Sequence, residues 1–147
     1  MARPRVVDDI MTRRVVCLLE EENLERVEEG MRRFQFRHLP VIDAGKLVGI
    51  LSERDYLRAS VSSQDPDYDL KGINLKRNLF VAGVMTRDVT SVSPETPLLD
   101  AARLLREHRF GCLPVTEADG TLVGIVTEAD FVRLAAELLL QESARSS

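Results

Sequence analysis

Two short segments of this chain set a hydroxyl three residues ahead of a carboxylate: Ser52-Glu53-Arg54-Asp55 and Thr127-Glu128-Ala129-Asp130. Each follows an apolar run that reads as a strand, Gly49-Ile50-Leu51 or Gly124-Ile125-Val126, and each opens a stretch of helical periodicity. A hydroxyl at such a junction lies beside orphan backbone N–H groups and the positive end of a helix dipole, which suits an anion. One turn further on, an ionised carboxylate can accept from both hydroxyls of a cis-diol. The same spacing describes a capping box, in which Ser52 or Thr127 simply closes the start of the helix. Asp at the third position then has a shorter reach than the usual Glu or Gln. The two uses are compatible, and spacing leaves both open.

The elements that position these motifs occur twice. Residues 7–59 align with 81–134 at an offset of 74, becoming 75 after an extra residue at Asp119. Met-Thr-Arg, Leu-Pro-Val, Leu-Val-Gly-Ile and Glu-x-Asp recur in the same order, which marks an internal duplication. Each copy begins with a short helical start (Asp8–Met11; Val81–Met85) and a β-rich stretch (Val15–Leu18; Val89–Val92). An amphipathic helix follows, with Leu24, Val27, Met31 and Phe34 on one face of the first copy and Leu98, Ala101, Ala102 and Leu105 on that of the second. Thr96 is the expected N-cap of the second, with Pro97 at its first helical position. An apolar hairpin turns at Ala44-Gly45 or Ala118-Asp119-Gly120. A last helix closes each copy, with Phe131, Leu134, Ala135 and Leu138 as the apolar face of the second and fraying expected after Gln141.

The expected fold is therefore α+β (α/β in the wider sense): two β-α-β-β-α repeats, 7–59 and 81–140, joined by a linker at 60–80 that contains Asp65-Pro66-Asp67 and Gly72. A half of this size buries too little apolar surface to stand alone. Sheet-to-sheet packing with pseudo-twofold symmetry, leaving two equivalent clefts, is the expected arrangement.

Composition narrows the function. A net charge of −4 and a pI near 5.3 argue against a nucleic-acid polymer as partner. The N-terminus lacks the apolar core of a signal peptide, no apolar run has membrane-spanning length, and two cysteines are too few for a disulfide scaffold, so a cytoplasmic protein is expected. With aromatics at only 5%, a flat ligand would have to lie between aliphatic walls.

The ordered set of Met-Thr-x-x-Val, Leu-Pro-Val, Leu-Val-Gly-Ile and Ser/Thr-Glu-x-Asp, present twice, resembles the CBS domain, and the pair resembles a Bateman module. That resemblance implies a regulatory module binding an adenosyl ligand (AMP, ADP, ATP or S-adenosylmethionine) in the clefts, and a homodimer of pairs forming a disc. It implies that Ser52 and Thr127 bond a phosphate and that Asp55 and Asp130 hold ribose. It groups Thr127 and Asp130 with Thr12, Val15, Val16, Arg37, His38 and Leu39 in one site. Ser52 and Asp55 are grouped with Thr86, Val89, Thr90, Gly111, Cys112 and Leu113 in the other. Arg37-His38 supplies cationic groups to the first site; Arg54 supplies one to the second, where Ala129 is its counterpart. The sites should differ in affinity.

Other residues read more plainly. His108 and Cys112 have metal-like spacing but no companions, so no metal is expected; Cys17 reads as a small buried hydrophobe. No nucleophile–base pair is legible, and an enzyme, such as a nucleotide hydrolase, is not expected. The two repeats account for most of the chain, so any output is expected to reach an unknown protein partner in trans. The alternative is a ligand-free adaptor whose helices only mediate dimerisation.

Overall fold

The computed structural model describes residues 3–34, 37–61 and 79–146. Residues 62–78, where most of the expected linker falls, and the Phe34 side chain lie outside the described part. The chain forms two compact units, a middle one of Val16–Val89 and a terminal one of Met1–Val15 with Thr90–Ser147. These are not the sequence repeats. Each unit takes in the first nine or so residues of the opposite repeat.

The middle unit runs β1 (Leu18–Leu19), α1 (Leu24–Phe34), β2 (His38–Asp43), β3 (Lys46–Ser52), α2 (Glu53–Val61) and α3 (Val81–Val84). Strand β1 lies parallel to β2, and β2 pairs antiparallel with β3. The hairpin turns through Ala44 and Gly45, both at positive φ (51° and 82°), the two-residue geometry whose twist matches the strands. Leu24 and Val27 of α1 are buried beside Leu39, Val41 and Leu51. Val81 and Met85, from the start of the second sequence repeat, complete that core.

The terminal unit mirrors this with a 3-10 turn (Val7–Asp9), α4 (Leu98–His108), β4 (Cys112–Thr116), β5 (Leu122–Thr127) and α5 (Glu128–Arg145). Val7 and Met11, from the first repeat, are buried with Ala101, Leu105, Leu113, Val115 and Val126. Asp9 fixes the turn by accepting from the backbone N–H groups of Arg5 (2.8 Å) and Val6 (3.0 Å). Those two donors hold its carboxyl below the ordinary range.

Four local expectations change. The β-rich stretches shorten to Leu18–Leu19 in one copy and a single parallel bridge, Val92 to Val115, in the other. After Ser93, Pro94 has no N–H with which to continue the ladder. Pro97, not Thr96, is the N-cap of α4, because the Thr96 hydroxyl is turned back to accept the Ser93 N–H at 3.0 Å. Helix α5 continues beyond Gln141 to Arg145, where Ser146 N–H closes onto the Glu142 carbonyl. On that helix Phe131 and Leu134 pack against the core as expected, whereas Ala135 is exposed.

Candidate functional site

The hydroxyl–carboxylate motifs sit where β3 runs into α2 and where β5 runs into α5. In the terminal unit, Thr127 adopts extended backbone (φ −123°) as N-cap of α5. Its hydroxyl accepts the Asp130 N–H at 3.3 Å, and Asp130 Oδ2 accepts the Thr127 N–H at 2.8 Å and the Thr127 hydroxyl at 3.1 Å. In the middle unit, Ser52 Oγ accepts the Asp55 N–H and Asp55 Oδ2 accepts the Ser52 N–H, both at 3.0 Å. The capping box therefore forms in both copies, with Asp serving where Glu or Gln is usual. Helix entry from a strand already ending in N-cap geometry lets the shorter side chain reach.

A second segment reaches each motif. Thr86 exchanges two 2.9 Å backbone hydrogen bonds with Ile50 of β3, and its hydroxyl donates to Asp55 Oδ2 at 3.4 Å. Thr12 makes the same pair of 2.9 Å bonds with Ile125 of β5. Met-Thr thus acts as a one-residue strand on the edge beside the motif. The glycine opposite it is required by space: a Cβ at Gly49 would lie 2.6 Å from Met85 Sδ and 3.0 Å from the Thr86 carbonyl oxygen. At Gly124 the corresponding distances, to Met11 Sδ and the Thr12 carbonyl oxygen, are 2.7 Å and 3.0 Å.

The remaining expected site residues divide between the units. Val16, Arg37, His38, Leu39, Arg54 and Val89 belong to the middle unit with Ser52, Asp55 and Thr86. Val15, Thr90, Gly111, Cys112 and Leu113 belong to the terminal unit with Thr12, Thr127 and Asp130. Within each unit the residues that start the hairpin flank that unit's own motif. His38 pairs with Ser52 and the Arg37 carbonyl accepts the Glu53 N–H at 2.8 Å; Cys112 pairs with Thr127 and the Gly111 carbonyl accepts the Glu128 N–H at 3.2 Å. The side chains of Leu39, Cys112 and Leu113 are buried in the cores, so only their backbones can face a ligand. Arg37 and Arg54 are exposed cations.

Arg133 was not among the expected residues, yet its guanidinium lies 3.4 Å from Asp130 Oδ1. The i, i+3 spacing on a helix is the signal that would have found it. Cys17 and Cys112 are not joined in a disulfide, and burial pushes the Cys112 thiol up to about 12. The His108 ring stacks on Phe110 with centroids 5.2 Å apart. Among the described residues no group of three or more His, Cys, Asp or Glu side chains could hold a metal ion, and no helix is long and apolar enough to cross a membrane.

A duplicated α+β unit, with a capped hydroxyl–carboxylate motif and an edge-bound Met-Thr segment in each copy, defines a tandem-repeat module carrying two homologous candidate ligand motifs. The chain belongs to the CBS-domain family, whose model matches residues 7–62 and 81–137. It is similar to AcuB of Vibrio cholerae, at 39% identity and TM-score 0.79, with 94% of this chain and 96% of that one covered. It is also similar to CBSX2 of Arabidopsis thaliana, solved in complex with AMP, at 33% identity and TM-score 0.78 over 92% of this chain and 98% of that one. The CBS domain pair of protein MJ0100, solved with 5′-methylthioadenosine and S-adenosyl-L-methionine, is 25% identical with TM-score 0.75 over 91% of this chain and 98% of that one. Among curated relatives, the chain spans 46% of the length of MJ1225 of Methanocaldococcus jannaschii and 24% of that of a homoserine O-acetyltransferase of Methanococcoides burtonii.

Proposed function

We propose that this chain is a regulatory module that binds an adenosyl ligand (AMP, ADP, ATP or S-adenosylmethionine) and passes the signal to a protein partner in trans, as a cytoplasmic homodimer and without catalysing a reaction. The observation that carries the reading is the carboxylate at the strand-to-helix junction, built twice and flanked each time by an edge-bound threonine. In this reading Ser52 and Thr127 face phosphate, and Asp55 and Asp130 accept from ribose hydroxyls. Arg37, His38, Arg54, Thr86 and Val89 share a unit with Asp55, and Thr12, Val15, Thr90, Gly111 and Cys112 share one with Asp130. Relatives solved with AMP, and with S-adenosyl-L-methionine, support the choice of ligand class. Ligand binding shifts the module between states only by its differential affinity for them.

The closed capping boxes favour a second reading, a ligand-free adaptor, because each carboxylate already has a structural task. A thermal-shift panel of AMP, ADP, ATP, S-adenosylmethionine and NAD separates the two. Stabilisation by at least one adenosyl compound is expected; none at millimolar concentration would leave the adaptor. Consumption of any of them in the same tubes would revive an enzyme.

A further inference from the structure

The two motifs share a sequence pattern but differ in how much hydrogen-bonding capacity they leave open. An ionised carboxylate offers about four acceptor positions, two on each oxygen. Asp130 Oδ2 uses both of its positions on Thr127, and Oδ1 faces Arg133. The Thr127 hydroxyl proton is committed to that same carboxylate, and Asp130 is only 6% exposed. In the other copy, Asp55 Oδ2 accepts from Ser52 N–H and Thr86, while Oδ1 accepts nothing from the described residues. Ser52 Oγ accepts the Asp55 N–H but donates to no described group, so its proton is available. Arg58, which the 75-residue offset aligns with Arg133, is exposed and makes no described side-chain bond.

We propose that Arg133 sets the affinity of the Asp130 motif by holding the carboxylate oxygen a diol needs, so that the Ser52–Asp55 motif fills first. This rests on the adenosyl-ligand reading above. A cis-diol can dock on Asp55 Oδ1 without displacing a partner, and a phosphate oxygen can take the Ser52 proton. At Asp130 the second diol hydroxyl competes with a guanidinium, and the Thr127 proton must be turned outward. Arg133 is a competitor for the site and not a ligand contact; a role in gripping phosphate would give the opposite sign.

Calorimetric titration with AMP tests this on single-motif variants of the full chain, with circular dichroism confirming that each is folded. Asp130→Ala is expected to keep the tighter binding event and Asp55→Ala to lose it. In the Asp55→Ala background, adding Arg133→Ala is expected to tighten the remaining event by about two- to five-fold, the equivalent of releasing an exposed ion pair. Arg58→Ala in the Asp130→Ala background is expected to change nothing. Weaker or unchanged binding after Arg133→Ala, or the tight event surviving in Asp55→Ala, overturns the assignment of Arg133 while leaving the ligand reading intact. No AMP binding by the parent chain overturns both.

Discussion

Asp55 and Asp130 are at once helix caps and candidate ribose acceptors, and removing either carboxylate separates the two tasks. Asp55→Ala and Asp130→Ala should each abolish the ligand-induced shift of their own motif while lowering unliganded stability by about 0.5–2 kcal/mol, the usual range for a lost cap. Asp130→Ala should cost more, because its carboxylate is the more buried. Denaturant melts with and without AMP give both quantities; a large stability loss with ligand affinity intact would make the carboxylates purely structural. Cys112 offers a second residue-level test. Its folded-state value near 12 lies above the ordinary 9.0, so its neutral thiol contributes stability at neutral pH. That contribution is lost as pH climbs from 9 towards 12, because the unfolded chain ionises first. The melting temperature should therefore fall across that window, less so in Cys112→Ala. Iodoacetamide should label the half-buried Cys17 well before Cys112, with mass spectrometry reading the order.

At the scale of elements, the controlling contact is the edge-bound Met-Thr segment packed against a glycine. Gly49→Ala or Gly124→Ala would drive a Cβ into a methionine sulfur and up to a carbonyl oxygen. The expected cost is about 1–3 kcal/mol of overpacking. The sulfur can move and the carbonyl cannot, so Met11→Ala should relieve Gly124→Ala only in part; urea denaturation in a double-mutant cycle measures the coupling. Additive costs would mean that the close approach is not what fixes the glycine. The helices, hairpins and turns were legible in the sequence because their periodicities and turn residues are local. Ala44-Gly45 turns at positive φ, and Leu24, Val27 and Met31 fall on one helical face. The short strands were less so, since a pairing of one or two residues depends on a neighbour far along the chain. Spacing likewise left Gly49 and Gly124 without a reason, which came only with Met85 and Met11 in place.

For the whole molecule, the two compact units each combine segments of both sequence repeats. Val81 and Met85 complete the core of the middle unit, and Val7 and Met11 that of the terminal unit. A fragment of residues 1–61 therefore lacks part of its own core, as does one of residues 79–147. Each alone should fail to melt cooperatively, and mixing them should restore a cooperative transition followed by circular dichroism. Cooperative melting of either alone would show that the exchanged segment is dispensable. The sequence by itself determined the duplication, the order of elements, the two hydroxyl–carboxylate motifs and the family they resemble, because these are patterns of neighbouring residues. It left open whether each motif caps a helix or holds a ligand, and treated Ser52-Asp55 and Thr127-Asp130 as equivalent apart from the charges around them. Tertiary structure alone decided that both motifs cap, that Thr86 reaches Asp55 while Arg133 reaches Asp130, and which core each Met-Thr segment completes. The contacts of Thr86, Met85 and Met11 join residues far apart in the chain, which local spacing does not encode; the caps and the Arg133–Asp130 pair are local, and spacing allowed them without choosing them.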